Sequence, residues 1–149
     1  MYTKTIAYTD YNGVERKEKF YFNLSKTEVA EKELGAEESY TDMLTRIIET
    51  DDQPAIFATF KNFILDSYGE KSTDGKRFIK RDKDGHRLAD DFAQTEAFSE
   101  LFILLGTNAE EAVKFINGIM PTDTEVTLED TVKAIEKIKE DESANNSGE

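Results

Sequence analysis

The chain lacks most of the side chains from which enzymes and metal sites are built. Its 149 residues include no cysteine, no tryptophan, one histidine and two prolines. Without cysteine there are no disulfides and no thiolate zinc sites, a pattern that fits a reducing cytoplasm. No apolar run approaches the ~20 residues that a membrane-spanning helix needs, and residues 1–4 (MYTK) do not begin a signal peptide. We therefore expect a cytoplasmic protein that contacts no membrane.

Positive charge is also scarce. The chain has 19 Lys and Arg against 32 Asp and Glu, a formal net charge of -13 at pH 7. Such a charge repels the phosphate backbone, so we expect no nucleic acid partner. Hydrophobic residues make up 38% of the chain and charged residues 34%, which at this length predicts one domain with a modest core.

Candidate catalytic and metal-binding residues are few. His86 lies beside a predicted turn without the nucleophile and orienting partner that acid–base catalysis requires, so we interpret it as a surface residue. Residues 82–85 (DKDG) match only a fragment of a calcium loop, since its further oxygen ligands and closing glutamate are missing. A carboxylate-only active site would need buried acids converging in a cleft. We predict no enzyme activity, no cofactor and no metal.

The first 24 residues predict a β-hairpin. Residues 2–9 alternate large apolar positions with threonine and alanine, as a strand with one buried face does. The Asn12-Gly13 pair favours a turn, because both residues tolerate positive φ. A three-residue loop ending at Gly13 opposes Tyr2 with Phe22 and creates one continuous apolar face. We therefore favour it over a two-residue loop.

Apolar residues at helical spacing predict five helices after the hairpin. A capping box at residues 25–28 (SKTE) begins the first, Pro54 occupies the first turn of the third, and Gly69 ends that helix. The predicted ranges are 25–35, 40–50, 54–69, 88–105 and 107–120. The third helix should form the centre of the core. We predict an α+β fold, an N-terminal β-hairpin packed on a bundle of about five helices, with a possible added strand at residues 78–79.

Charge is distributed unevenly toward the end of the chain. Residues 70–87 hold seven basic residues against four acids, whereas residues 121–149 hold nine acids against three lysines. The basic segment is either a solvated loop or a binding element for the acidic surface of a neighbouring copy or partner. The acidic segment carries a helical apolar stripe that either docks on its own domain or awaits a partner helix; the stripe is Leu128, Val132, Ile135 and Ile138. We divide the chain into a domain, residues 1–121, and residues 122–149, an acidic amphipathic helix with a disordered end.

Several segments resemble the tail assembly chaperones of long-tailed phages and prophages of Gram-positive bacteria. They are residues 6–10, 20–26, 64–69, 74–80, 92–102 (FAQTEAFSELF) and 115–121 (FINGIMP). The similarity covers about residues 4–121, and we match no family pattern after Pro121. Residues 1–121 are accordingly expected to form a single tail-chaperone-like domain.

The resemblance implies a non-enzymatic assembly factor. Such a protein binds the hydrophobic helices of the tape measure protein, keeps that protein soluble and helps recruit tail tube subunits. It acts in the host bacterial cytoplasm and is absent from the mature virion. The alternative is a structural subunit of the particle, such as a tail completion or head–tail joining protein.

This interpretation as an assembly factor assigns two sets of contact residues. Apolar residues of the phenylalanine-rich helices are predicted to bind the tape measure protein, and these are Phe92, Phe98, Leu101, Phe102 and Leu105. The hairpin edge and the basic segment are predicted to mediate self-association, through Tyr8, Tyr21, Lys76, Arg77, Lys80 and Arg81. Because large apolar residues are more often core than contact surface, each apolar assignment depends on exposure.

Overall fold

A four-stranded antiparallel sheet is combined with six helices in the computed structural model, which describes residues 1–35, 38–49 and 52–121. The strands are β1 (Tyr2–Thr9), β2 (Glu15–Phe22), β3 (Tyr68–Lys71) and β4 (Phe78–Ile79), in that spatial order. The helices are α1 (Lys26–Leu34), α2 (Tyr40–Glu49), α3 (Gln53–Ser67), α4 (Leu88–Phe92), α5 (Glu96–Thr107) and α6 (Ala109–Ile119). The predicted α+β class is confirmed. The predicted C-terminal helix and disordered end, residues 122–149, lie outside the described residues.

The hairpin has the predicted register. Tyr2 pairs with Phe22 along an eight-residue ladder, and the connection is the three-residue loop that ends at Gly13. Gly13 adopts φ +78°, which suits a residue without Cβ. Asp10 stabilises the loop, since its Oδ1 accepts hydrogen bonds from the backbone N–H groups of Asn12 and Val14, both at 2.9 Å. Local chemistry alone therefore determines this turn.

The sheet is wider than the sequence pattern indicated. The predicted strand at residues 78–79 is confirmed as β4, but β3 was not predicted and pairs with both β2 and β4. Gly69 directly follows the C-cap residue of α3, Tyr68, as predicted, but it does not have the positive φ of a helix-ending glycine and belongs to β3. Gly69 is instead a close-approach position: a Cβ there would lie 2.7 Å from the Phe78 ring.

Side-chain caps mark the starts of α1, α3, α5 and α6, whereas α4 begins without a side-chain cap. The predicted capping box is confirmed at α1, where Ser25 Oγ accepts from Glu28 N and the Glu28 carboxylate accepts from Ser25 N. Pro54 lies in the first turn of α3 as predicted, behind the N-cap Asp52. The cap of α6 is one residue later than predicted, because Asn108 rather than Thr107 accepts the first-turn amide of Glu111.

The long helix predicted for residues 88–105 is wrong. The chain forms α4 and α5 separately, and Thr95 is the reason for the break. Its hydroxyl donates to Phe92 O at 2.7 Å and accepts from Phe98 N at 3.3 Å, so it closes one helix and caps the next. The apolar spacing continues across the break, which is why periodicity alone suggested one helix. Gly106 does not end α5, which continues to Thr107.

The core lies between one face of the hairpin and the helices. Phe22 and Phe115 are fully buried with ring centroids 5.9 Å apart, and Tyr2 meets Phe115 edge-on at 5.1 Å. The predicted central helix is buried along one side, at Ile56, Phe60, Phe63 and Ile64. The last helix, α6, buries a set of apolar residues, namely Ala112, Val113, Ile116 and Ile119. Each large apolar side chain that is buried contributes about 1.5–3 kcal/mol to folding.

Candidate functional site

One large apolar side chain of α5 faces solvent. Ala97, Leu101 and Leu105 point into the core, whereas Ile103 on the opposite, otherwise largely polar side is 58% exposed. Phe98 and Phe102 lie between these two sides and are half-buried. An exposed isoleucine next to a half-buried aromatic ring is a candidate contact surface.

Phe57 of α3 extends this surface. Its ring centroid lies 5.9 Å from that of Phe102, and Phe102 in turn stacks on Phe98 at 5.8 Å. Gly106 permits the approach of the two helices, since a Cβ at Gly106 would lie 3.3 Å from the Phe57 ring. We define the α5 surface as the half-buried rings of Phe57, Phe98 and Phe102 together with exposed Ile103.

The structure divides the five predicted tape measure contacts into two groups. Phe92, Leu101 and Leu105 are at most 2% exposed and form part of the core, so a partner cannot touch them in this fold. Phe92 packs flat against Tyr68 with ring centroids 4.2 Å apart, and burial raises the pKa of Tyr68 to about 12. Phe98 and Phe102 alone of the five belong to the α5 surface. Sequence reasoning missed Phe57 and Ile103.

A shallow cleft of about 190 Å³ lies between α5 and the strand β1. The strand contributes Lys4, Thr5, Ile6 and Ala7, and the helix contributes Glu100, Leu101 and Leu104. Among the strands of the described residues, β1 pairs with β2 alone, and residues of β1 line this cleft. An extended chain or a second strand can add to an edge strand.

The predicted self-association residues are not all on one surface. Tyr8 lies on the edge strand β1, where its hydroxyl donates to Glu18 and its ring packs on Phe20. Tyr21 is on β2, which is paired on both sides, and its ring lies 4.9 Å under the ammonium of Lys71. Tyr8 can therefore contribute to an edge contact, while Tyr21 belongs to the outer face of the sheet.

The four basic residues of that prediction also differ in environment. Lys76 and Arg77 are exposed in the loop between β3 and β4. Lys80 is half-buried and donates to Glu28 at 2.5 Å and to the backbone oxygen of Asp66 at 2.7 Å. Burial lowers the pKa of Lys80, and the Glu28 carboxylate opposes that shift. Lys80 thus links two helices within the domain, and its ammonium group is already occupied by these bonds.

Lys80 lies in an open polar pocket of about 690 Å³. Asp66 is its central acid, accepting from Arg87 at 2.7 Å and from the Tyr40 hydroxyl at 3.1 Å. Burial and the negative charge of Asp66 raise the pKa of Tyr40. The charged lining residues are Glu28, Glu31, Lys32, Asp66, Lys80, Arg81 and Arg87. Two of the three acids that line the pocket are ion-paired, Glu28 with Lys80 and Asp66 with Arg87.

The single histidine, His86, is exposed at a turn, as predicted. Asp82, Asp84 and His86 are exposed and bring potential metal ligands within 4.8 Å of one another. Asp82 Oδ1 accepts the backbone N–H groups of Asp84 and His86, both at 2.9 Å, and these bonds lower the pKa of Asp82. The carboxylate therefore closes the turn, and this turn accounts for the proximity of the three side chains.

Comparison with known proteins identifies the family. The family model described as phage tail assembly chaperone matches residues 1–148. The chain belongs to the phage tail assembly chaperone family. Searches of curated proteins and of solved structures each found no match. The match includes the acidic segment, so the expectation that family similarity ends near Pro121 is wrong.

Family membership supports a chaperone role in tail assembly. Among the described residues, none of the helices has the length and apolar character needed to cross a bilayer.

Proposed function

We propose that this chaperone is non-enzymatic and binds apolar helical segments of the tape measure protein through the α5 surface. The observation that carries the proposal is exposed Ile103 beside the half-buried rings of Phe57, Phe98 and Phe102. The apolar face of a helix can lie along such a strip, with each Å² of apolar surface removed from water contributing about 25 cal/mol. The chain's net charge of -13 would keep the complex soluble.

Several copies would bind along one tape measure chain in the host cytoplasm, each weakly enough to be released. Self-association through the free edge of β1 near Tyr8 would increase the avidity of that coat, and the coat would help recruit tail tube subunits. The protein would leave before the particle is complete. This arrangement separates client binding on α5 from copy-to-copy contact on the sheet edge.

Charge substitutions at exposed apolar positions test the binding surface. We expect full-length Ile103→Asp to remain folded but to bind the tape measure protein at least ten-fold more weakly, because a carboxylate would be desolvated in the contact. Leu34→Asp is the matched control, since Leu34 is 89% exposed at the end of α1 and lies outside the α5 surface. Co-expression followed by co-purification measures complex formation, and circular dichroism measures folding.

The proposal fails if the tape measure protein is equally soluble without the chaperone and no complex forms. It also fails if the Leu34→Asp and Ile103→Asp proteins bind the tape measure protein equally well. Phe102→Asp adds a second test of the same surface, and its unfolding would assign Phe102 to the core. Mass spectrometry of purified virions tests the alternative of a structural subunit. A chaperone should be missing from virions, whereas a tail completion or head–tail joining protein should be present.

A further inference from the structure

Residues 70–87 form two consecutive turns that present basic side chains to solvent. The first is closed by Ser72 N donating to Arg77 O, and the second by Asp82 N donating to His86 O, both at 2.9 Å. The acids within the turns bind their own backbone: the carboxylate of Asp74, like that of Asp82, accepts turn amides. Among the basic residues of these turns, Lys76, Arg77 and Lys83 are exposed.

These basic residues differ in whether an acid already neutralises them. Lys80 and Arg87 are paired with Glu28 and Asp66 in the polar pocket. By contrast, Lys76, Arg77 and Lys83 are exposed and pair with no acid among the described residues, and Arg81 donates to a backbone oxygen, that of Gly85. We define the basic surface as Lys76, Arg77, Arg81 and Lys83.

The basic surface is extended rather than compact. Arg77 and Arg81 flank β4, and four residues of extended chain span about 13 Å. The two groups of basic residues, one on each side of β4, are too far apart to contact one small anion together, and an extended acidic segment can reach both. Arg81 also lines the polar pocket, so the surface continues into the pocket mouth. The ligand class is therefore a polypeptide rich in Asp and Glu.

The chain itself contains such a polypeptide. Residues 122–149 carry nine acids against three lysines, including the run Glu140-Asp141-Glu142. No other part of the chain has a comparable excess of basic charge to receive it, because residues 70–87 hold seven of the 19 basic residues. Charge complementarity within the molecule thus pairs one segment with one surface.

The point where residues 122–149 leave the domain is connected by two contacts to the polar pocket that Arg81 lines. Ile119 O accepts from Leu24 N at 2.8 Å, which places the end of α6 beside the start of α1. Glu28 of that same helix start pairs with Lys80 at the pocket. A segment attached there has a high effective concentration at its own basic surface, and this favours the same chain over a second copy.

We propose that the acidic C-terminal segment, residues 122–149, docks on the basic surface of its own chain. The contact is electrostatic, so salt weakens it and another acidic protein surface can displace the segment. Docking covers Lys76, Arg77, Arg81 and Lys83 and leaves the α5 surface open. The proposal is thus independent of tape measure binding.

Paramagnetic broadening in the full-length protein tests the contact. The chain has no cysteine, so Ser143→Cys gives a single site for a nitroxide label beside the acidic run. We expect the label to broaden the backbone amides of residues 76–83 at low salt. The broadening should largely disappear at 1 M NaCl, where the screening length is about 3 Å.

Charge reversal provides the matched control. Lys76→Glu, Arg77→Glu and Lys83→Glu together should abolish the broadening of the turns, while Lys17→Glu, Lys19→Glu and Lys61→Glu, an equal change at exposed positions elsewhere, should preserve it. Absence of broadening at low salt, or broadening unchanged by the first triple substitution, overturns the proposal. Broadening transferred from labelled chains to separate isotope-labelled chains would assign docking to a second copy and also overturn it.

Discussion

At the scale of single residues, the best-defined long-range polar contact joins the two ends of the domain. The Tyr2 hydroxyl donates to Glu111 at 2.6 Å, and Lys4 donates to the same carboxylate oxygen at 3.3 Å. The hydrogen bond from Tyr2 holds the pKa of Glu111 below its ordinary value of 4.5. Burial and the Glu111 carboxylate raise the pKa of Tyr2. The first strand and the last described helix are thereby linked through one acid.

The Tyr2→Phe substitution should raise the pKa of Glu111 toward 4.5. A folded-state pKa that is lowered stabilises the protein above pH 4.5, and that stability is lost as the pH falls through the folded pKa. We therefore expect Tyr2→Phe to lower the free energy of unfolding by about 1.5–3 kcal/mol at pH 7, and by less below pH 4. Urea unfolding across pH and a carboxyl titration by NMR measure the two effects. Tyr21→Phe is the control, and an unchanged Glu111 pKa in Tyr2→Phe would contradict the assignment.

At the scale of elements, caps rather than apolar periodicity decide where the helices begin. Residues 88–105 have continuous helical spacing, yet Thr95 divides them into α4 and α5 by bonding to both. The break redirects the chain, so that α5 can bury Leu101 and Leu105 while Ile103 faces solvent. The position of Ile103 in solvent therefore depends on where Thr95 begins α5.

The Thr95→Ala substitution should destabilise the domain by about 1 kcal/mol, since it removes the N-cap of α5. Thr107→Ala is the matched control, because Thr107 is an exposed threonine in the last turn of the same helix and bonds to Ile103 O. We expect the control to change stability by less than about 0.5 kcal/mol. The urea midpoint gives both values. Equal effects of the two substitutions would show that the cap does not define the start of α5.

At the scale of the whole molecule, Lys80 joins elements that are distant in sequence. Lys80 lies just after β4, pairs with Glu28 of α1 and donates to Asp66 O near the end of α3. Arg87 pairs with the side chain of Asp66 from the next turn. Two of the seven basic residues therefore anchor the segment, while Lys76, Arg77 and Lys83 are exposed.

Replacing Lys80 with Met should lower the free energy of unfolding by about 1–3 kcal/mol, because Glu28 loses its partner and Asp66 O loses a donor. Lys76→Met changes an exposed, unpaired lysine of the same segment and should have an effect below about 0.5 kcal/mol. Thermal and urea unfolding of the full-length variants measure the difference. A Lys80→Met protein as stable as wild type would mean that the burial penalty of the ammonium cancels its bonds.

Local chemistry was the most predictable part of the fold. The hairpin register, the Ser25 capping box and the position of Pro54 each depend on residues close in sequence, and each is confirmed. The strand β3 was missed because Tyr68–Lys71 is short and directly continues a helix, so no turn signal separates the two. Because no turn signal separates the helix from the strand, the pattern also indicated Gly69 as the end of the helix.

The candidate site was less predictable because exposure is a tertiary property. Phe92, Phe98 and Phe102 have the same side chain and similar spacing, yet Phe92 is 2% exposed while the other two are half-buried. Phe57 joins them across two helices that are far apart in sequence, a contact that no local pattern encodes. The ion pairs of Lys80 and Arg87 are likewise long-range.

Composition and short-range spacing are sufficient to establish the balance of charge, the scarcity of reactive side chains, the local turns and caps, and the resemblance to the phage tail assembly chaperone family. Which aromatic rings reach the surface, and which basic residues are already paired, is established only by the folded structure. Both depend on packing between distant segments: the position of α5 after its Thr95 cap exposes Ile103, and the approach of α1 and α3 to Lys80 neutralises that lysine.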